Sequence, residues 1–79
     1  MISKLYELVS QIMHVPILEI NDDSGPQSIE TWDSFNLYLL LNEIESEFKI
    51  RFTLDESLDV KCVADFKKYL KNHGIILND

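Results

Sequence analysis

The residue of this chain best placed for chemistry is a serine. In Thr31-Trp32-Asp33-Ser34-Phe35 a polar, proline-marked segment ends and the longest apolar periodic run begins. Asp33 can accept hydrogen bonds from the free N–H groups of a first helical turn, which makes it a good N-cap. Ser34 then falls at the first helical position, near those N–H groups and the positive end of the helix dipole. An anion attached to Ser34 would sit where a helix favours one, a local reason for a phosphoester. On these residues alone, Asp-Ser before a helix is more often a plain cap.

Other reactive residues assemble no site. A Ser-His-acid arrangement would need His14 or His73 within hydrogen-bond reach of Ser34; each stands at the end of a predicted helix, and there is no Gly-x-Ser-x-Gly elbow. Two distant histidines and the single cysteine, Cys62, make a poor metal set. Cys62 reads as a small buried hydrophobe rather than a reactive thiol. The acids at Asp22 and Asp23 resemble a calcium loop, but with Gly25 in the glycine place Ile20 falls at the first ligand position and Thr31 at the last, so the register fails. Phosphate-cradling glycine loops are absent, Gly25 and Gly74 being the only glycines. Glu43, Glu45 and Glu47 point in different directions on a helix, which fits a solvated, partner-facing surface better than acid–base work.

The elements that would position Ser34 follow from the hydrophobic spacing. A first helix over 2–14 presents Ile2, Leu5, Tyr6, Val9, Ile12 and Met13 on one face, and Pro16 closes it. Residues 15–32 form a long loop with a turn cluster at Asn21-Asp22-Asp23-Ser24-Gly25-Pro26, and a loop of that length needs anchoring by Ile17, Leu18, Ile20, Ile29 and Trp32. The second helix, 33–48, gathers Leu37, Leu40, Leu41, Ile44 and Phe48 on its inner side and leaves Phe35 and Leu39 on the outer one, a candidate contact surface. An extended connector over 49–54 should bury Ile50 and Phe52. A short helix over 55–59 and a last helix over 62–73 follow, the latter with Val63, Phe66, Tyr69 and Leu70 inward and Gly74 just past its end. Ile75-Ile76-Leu77 then gives an apolar tail able to fold back.

Composition narrows the partners. The chain has 79 residues and a net charge of −7, enough for one domain. Residues 1–60 carry twelve acids against Lys4, Lys49 and Arg51, while residues 61–79 carry a small positive excess. An acidic body repels phosphate backbones, which excludes nucleic acid, and attracts basic protein surfaces. No run is long and apolar enough for a membrane span. The opening Met1-Ile2-Ser3-Lys4 leads straight into an amphipathic pattern unlike a signal peptide, so a cytoplasmic location is expected.

Taken together, the chain resembles acyl carrier proteins over nearly its whole length, to about Gly74. The resemblance rests on Thr31-Trp32-Asp33-Ser34-Phe35 and on Ile44-Glu45-Ser46-Glu47-Phe48-Lys49-Ile50-Arg51-Phe52. In that family an Asp-Ser-Leu tripeptide starts the second helix and its serine carries 4′-phosphopantetheine. The resemblance implies an all-α four-helix bundle with three main helices, one short helix and a long first loop. It also implies Ser34 as the attachment site of covalent 4′-phosphopantetheine, with Asp33 as cap and aid to the activating transferase. Phe35, at the family's leucine position, Leu39, Glu45 and Glu47 would meet partners. Those partners would be a phosphopantetheinyl transferase and acyl-ligase, synthase or transferase enzymes with basic docking surfaces. The protein itself would be a monomer and no enzyme, holding an acyl group as a thioester. Asn36 and Leu39 stand where fatty-acid carriers often have acids, and Ser46 replaces another; this less charged face points to a dedicated pathway of fatty-acid, polyketide or other biosynthesis. Two alternatives remain open: an aminoacyl or peptidyl carrier, and an unmodified helical interaction module.

Overall fold

The hydrophobic spacing is realised as helices throughout. The computed structural model describes residues 4–76. In chain order these form α1 (Lys4–Met13), a 3-10 turn at Ile17–Glu19, α2 (Ser34–Phe48), α3 (Leu54–Asp59) and α4 (Val63–Asn72), with no strand among the described residues. This is the expected all-α bundle with a long first loop and one short helix. Ile2 and Leu77 lie outside the described residues.

One core joins the elements. Leu5, Leu8, Val9 and Met13 of α1 meet Leu40 and Ile44 of α2, and Val63, Phe66 and Leu70 of α4. Each such side chain stabilises the fold by about 1.5–3 kcal/mol when fully buried. The loop contributes Ile20, Ile29 and Trp32 to this core; Trp32 lies 6.4 Å from Phe66, ring centre to ring centre. Leu18, expected to help pin the loop, is instead 94% exposed: the 3-10 turn points it outward, while Ile20 goes in. Leu8 is buried although the apolar face drawn from spacing omitted it, because α1 lies covered over more than one stripe. Ile50 and Phe52 of the connector pack against the core, and Phe52 meets Phe66 edge-on. Of the apolar tail, Ile75 folds back onto the core and Ile76 does not.

The long loop is tied down by hydrogen bonds as well. Its carbonyls take the place of a side-chain cap on α4: Val63 N–H donates to Ser24 O and Ala64 N–H to Asp22 O, both at 2.9 Å. These bonds satisfy donors that a helix start leaves free. Ser24 is buried, with its hydroxyl accepting from Asn21 N–H at 2.9 Å. The Asp22 carboxylate accepts from Tyr6 OH at 2.6 Å and pairs with Lys67 Nζ at 2.7 Å, so one acid binds α1 and α4 to the loop. These hydrogen bonds, the one from Lys67 foremost, hold the Asp22 carboxyl below its ordinary value. Thr31 Oγ1 donates to Met13 O at 2.6 Å, fastening the end of the loop to the end of α1.

The short helix α3 is held differently. None of its residues is buried, and Leu54 and Leu58 face solvent. Thr53 and Glu56 form a reciprocal capping box at its start. Glu56 reaches His73 at 3.1 Å, and Asp59 accepts a hydrogen bond from Tyr69 and lies 3.7 Å from Lys68. Backbone donation from Thr53, then the contact with His73, lowers the Glu56 carboxyl. The short Asp59 contact pushes the Tyr69 phenol up to about 12.

Two predictions follow from these contacts. A Cβ at Gly25 would stand 2.5 Å from Lys61 O, a backbone atom that cannot swing aside. Gly25→Ala should therefore destabilise the protein by about 1–3 kcal/mol in urea unfolding, without loss of helical content at low denaturant. Asp22 and Glu56 have folded-state values below their ordinary 3.8 and 4.5, so their contribution is present above those values and fades as acid protonates them. The thermal midpoint should fall between about pH 5 and pH 3, with a shallower fall in Glu56→Gln.

Candidate functional site

Asp33 and Ser34 sit where the sequence places them. Asp33 is the N-cap of α2, its Oδ1 accepting from Asn36 N–H at 2.8 Å. Asn36 in turn donates from its side chain to Thr31 O at 2.9 Å, so both sides of the cap are braced. Ser34 is the first residue of α2 and is exposed. A serine turned into the core would have closed it to any other protein.

Beside Ser34 lies an open cleft of about 670 Å³. Its lining comes from the turn at Gly25-Pro26-Gln27, from Val60-Lys61-Cys62, which touches that turn at Gly25, and from Trp32 and Leu37. The loop carbonyls that cap α4 hold these segments together. The α2 N-terminus adds partial positive charge and unpaired N–H groups. No histidine lines the cleft among the described residues; His14 follows the end of α1, and His73 caps α4 against Glu56. The Asp33 carboxylate is engaged with Asn36. Ser34 thus has no base of its own, and its arrangement suits a hydroxyl that another protein modifies.

The expected partner residues divide. Phe35 is 69% exposed, as the helical wheel predicts. Leu39 is half-buried instead of fully outward, and the exposed neighbour one turn on from Phe35 is Tyr38, at 62%. Sequence reasoning missed Tyr38, although its place three residues after Phe35 was a usable signal. The two glutamates differ from each other. Glu45 is half-buried and its Oε2 accepts from Phe52 N–H at 2.8 Å, so it fastens the connector to α2. Its place at the edge of the apolar stripe, over the returning chain, is the physical reason. Glu47 lies 3.9 Å from Lys4 on α1. Glu45 is thus engaged within the fold, while Glu47 and Glu43 are both exposed. Leu54 and Leu58 of α3, at 74% and 70% exposure, extend the outer apolar surface. Cys62 is half-buried at the N-cap of α4 rather than sealed in the core.

Among the described residues no group of three or more His, Cys, Asp or Glu could hold a metal ion, and no helix is long and apolar enough to cross a membrane.

Comparison with known proteins agrees with this geometry. The profile of the family described as "Phosphopantetheine attachment site" matches residues 3–70. Acyl carrier proteins of Lactococcus lactis subsp. cremoris and subsp. lactis are 42% identical over 41 residues, 52% of this chain and 53% of theirs. The matched stretch thus spans about half the length of those curated relatives. A Mycobacterium tuberculosis structure described as a candidate acyl carrier protein superposes with a TM-score of 0.77 at 20% identity, over 87% of this chain and 92% of that one, a likeness of fold. The cofactor of such domains is a covalently attached 4′-phosphopantetheine, and they carry substrates rather than transform them. The match over residues 3–70, on a helical bundle of this architecture, shows that the chain belongs to the acyl carrier protein family of phosphopantetheine-bearing domains.

Proposed function

We propose that Ser34 is the residue that bears the 4′-phosphopantetheine arm and that the protein holds an acyl group on it for partner enzymes. The observation that carries this reading is the exposed Ser34 hydroxyl at the first position of α2, beside a cleft with apolar and polar walls. The residues present fit the group. A phosphodiester suits the helix N-terminus, and a chain of methyl and amide groups suits a cleft lined by Trp32, Leu37, Gln27 and Lys61. When bound, the arm supplies a thiol for thioester linkage; the fold supplies position.

Partners would dock around Phe35 and Tyr38. The stretch from Ser34 to Asn42 carries no charge, and Glu45 is turned to the connector while Glu47 stays exposed further along the helix. Contact there is therefore apolar and aromatic first, with Glu43 and the overall negative charge steering basic surfaces from a distance. This supports a dedicated pathway of fatty-acid, polyketide or related biosynthesis, in the cytoplasm.

Incubation with a promiscuous phosphopantetheinyl transferase and coenzyme A should raise the intact mass by one phosphopantetheinyl group, and Ser34→Ala should show no rise. An unchanged wild-type mass, or a rise in Ser34→Ala, would overturn the assignment. Phe35→Ala, exposed and outside the core, should keep the thermal midpoint while raising the transferase KM about tenfold, the effect of losing one aromatic anchor. An unchanged KM would remove Phe35 from the docking face.

A further inference from the structure

The cleft beside Ser34 has an electrostatic composition that its function as an arm site does not by itself explain. Asp23 and Asp33 both line it. A phosphodiester on Ser34 would add a third negative charge to this small volume, and like charges at short range oppose one another. Among its described lining residues Lys61 is the single cation.

Lys61 is also held firmly in the lining. Its carbonyl lies against Gly25, close enough that a Cβ there would collide. Its N–H donates to Asp65 Oδ2 at 2.8 Å. The next two residues lead into α4, whose first N–H groups are bonded to the loop carbonyls of Ser24 and Asp22. The backbone of Lys61 is thus fixed on both sides, while its side chain is exposed. The acid that feels the Lys61 charge, Asp59, already has Tyr69 and Lys68 as partners. Cys62, the neighbouring residue, lines the same cleft.

The geometry points to Lys61 as a positioning residue: its ammonium pairs with the phosphodiester borne by Ser34 and seats the first part of the arm in the cleft between Pro26 and Cys62. This rests on the carrier reading above and goes beyond it, since attachment needs only an exposed hydroxyl and leaves the arm free to lie anywhere. The pairing needs a positive charge on a long exposed stem and no fixed fork of donors, so arginine should replace lysine here.

Cys62 is the only cysteine and reports the seating directly. The protein is loaded enzymatically with desulfo-coenzyme A, so that the arm carries no thiol, and intact mass confirms loading. The rate of Cys62 alkylation by iodoacetamide is then measured before and after loading. In the wild type and in Lys61→Arg, loading should slow alkylation by about threefold, the scale of an exposed ion pair. In Lys61→Gln loading should leave the rate unchanged, with circular dichroism matching the wild type. Equal rates before and after loading in the wild type, or full protection in Lys61→Gln, would overturn the assignment of Lys61. No gain of mass on loading would instead overturn the carrier reading, and this one with it.

Discussion

Two backbone hydrogen bonds decide the shape of the working end of the molecule. Val63 and Ala64, at the start of α4, donate to the carbonyls of Ser24 and Asp22. Cys62 offers no side-chain cap, so without those carbonyls the first turn of α4 would lose partners for its N–H groups. The same bonds draw the middle of a long loop across the end of a helix distant in sequence. That crossing brings Gly25 against Lys61 and sets the two walls of the cleft beside Ser34. A glycine is needed at 25 for a reason of space: the opposing atom is a backbone carbonyl. Helix capping and site construction are here one interaction.

Charge is distributed by the same economy of partners. A strongly acidic chain could leave all its carboxylates without partners, yet several join one element of the fold to another. Asp22 joins α1, the loop and α4; Glu45 holds the connector; Glu56 and Asp59 tie α3 to α4. The outer side of α2 near Ser34 is left with Phe35 and Tyr38 instead. Long-range attraction of basic surfaces survives this arrangement, because it depends on net charge. Short-range contact depends instead on which side chains are free to be touched, and near Ser34 those are the uncharged Phe35 and Tyr38.

Much of this was legible in the sequence, and the failures share a cause. The helices, the cap at Asp33, the exposed Ser34 and the glycine after α4 are set by residues within one or two turns of each other, and local spacing reads such relations well. The hydrogen bond to Glu45 and the exposure of Leu18 could not be read because their surroundings are supplied by distant chain: the connector that returns over α2, and a loop turn that sends Ile20 inward in place of its neighbour. Tyr38 and Leu39 differ by one step around a helix that is apolar over much of its circumference, so the wheel alone ranked them poorly. The cleft itself was invisible. Nothing in the spacing of Gly25, Trp32 and Lys61 says that they line one cleft, since the hydrogen bonds that draw the loop to α4, from Val63 and Ala64 to Ser24 and Asp22, are made by backbone atoms common to every residue.

The same reasoning sets α3 apart from the rest of the bundle. Its two leucines face outward and no residue of it is buried, so the hydrophobic effect that fixes α1, α2 and α4 does little for it. What holds it is polar: a capping box, the Glu56–His73 contact, and Asp59 against Tyr69 and Lys68. Exposed polar contacts of this kind are individually weak. A groove of about 260 Å³, lined by Tyr38, Leu41, Phe52 and Leu54, runs between α2 and α3. Its far side is thus the least firmly held element of the fold, while its near side belongs to the helix that begins at Ser34. Any partner that grips Leu54 and Leu58 works first against these polar contacts, and then against Val60, the C-cap of α3, which is buried in the core and lines the cleft beside Ser34.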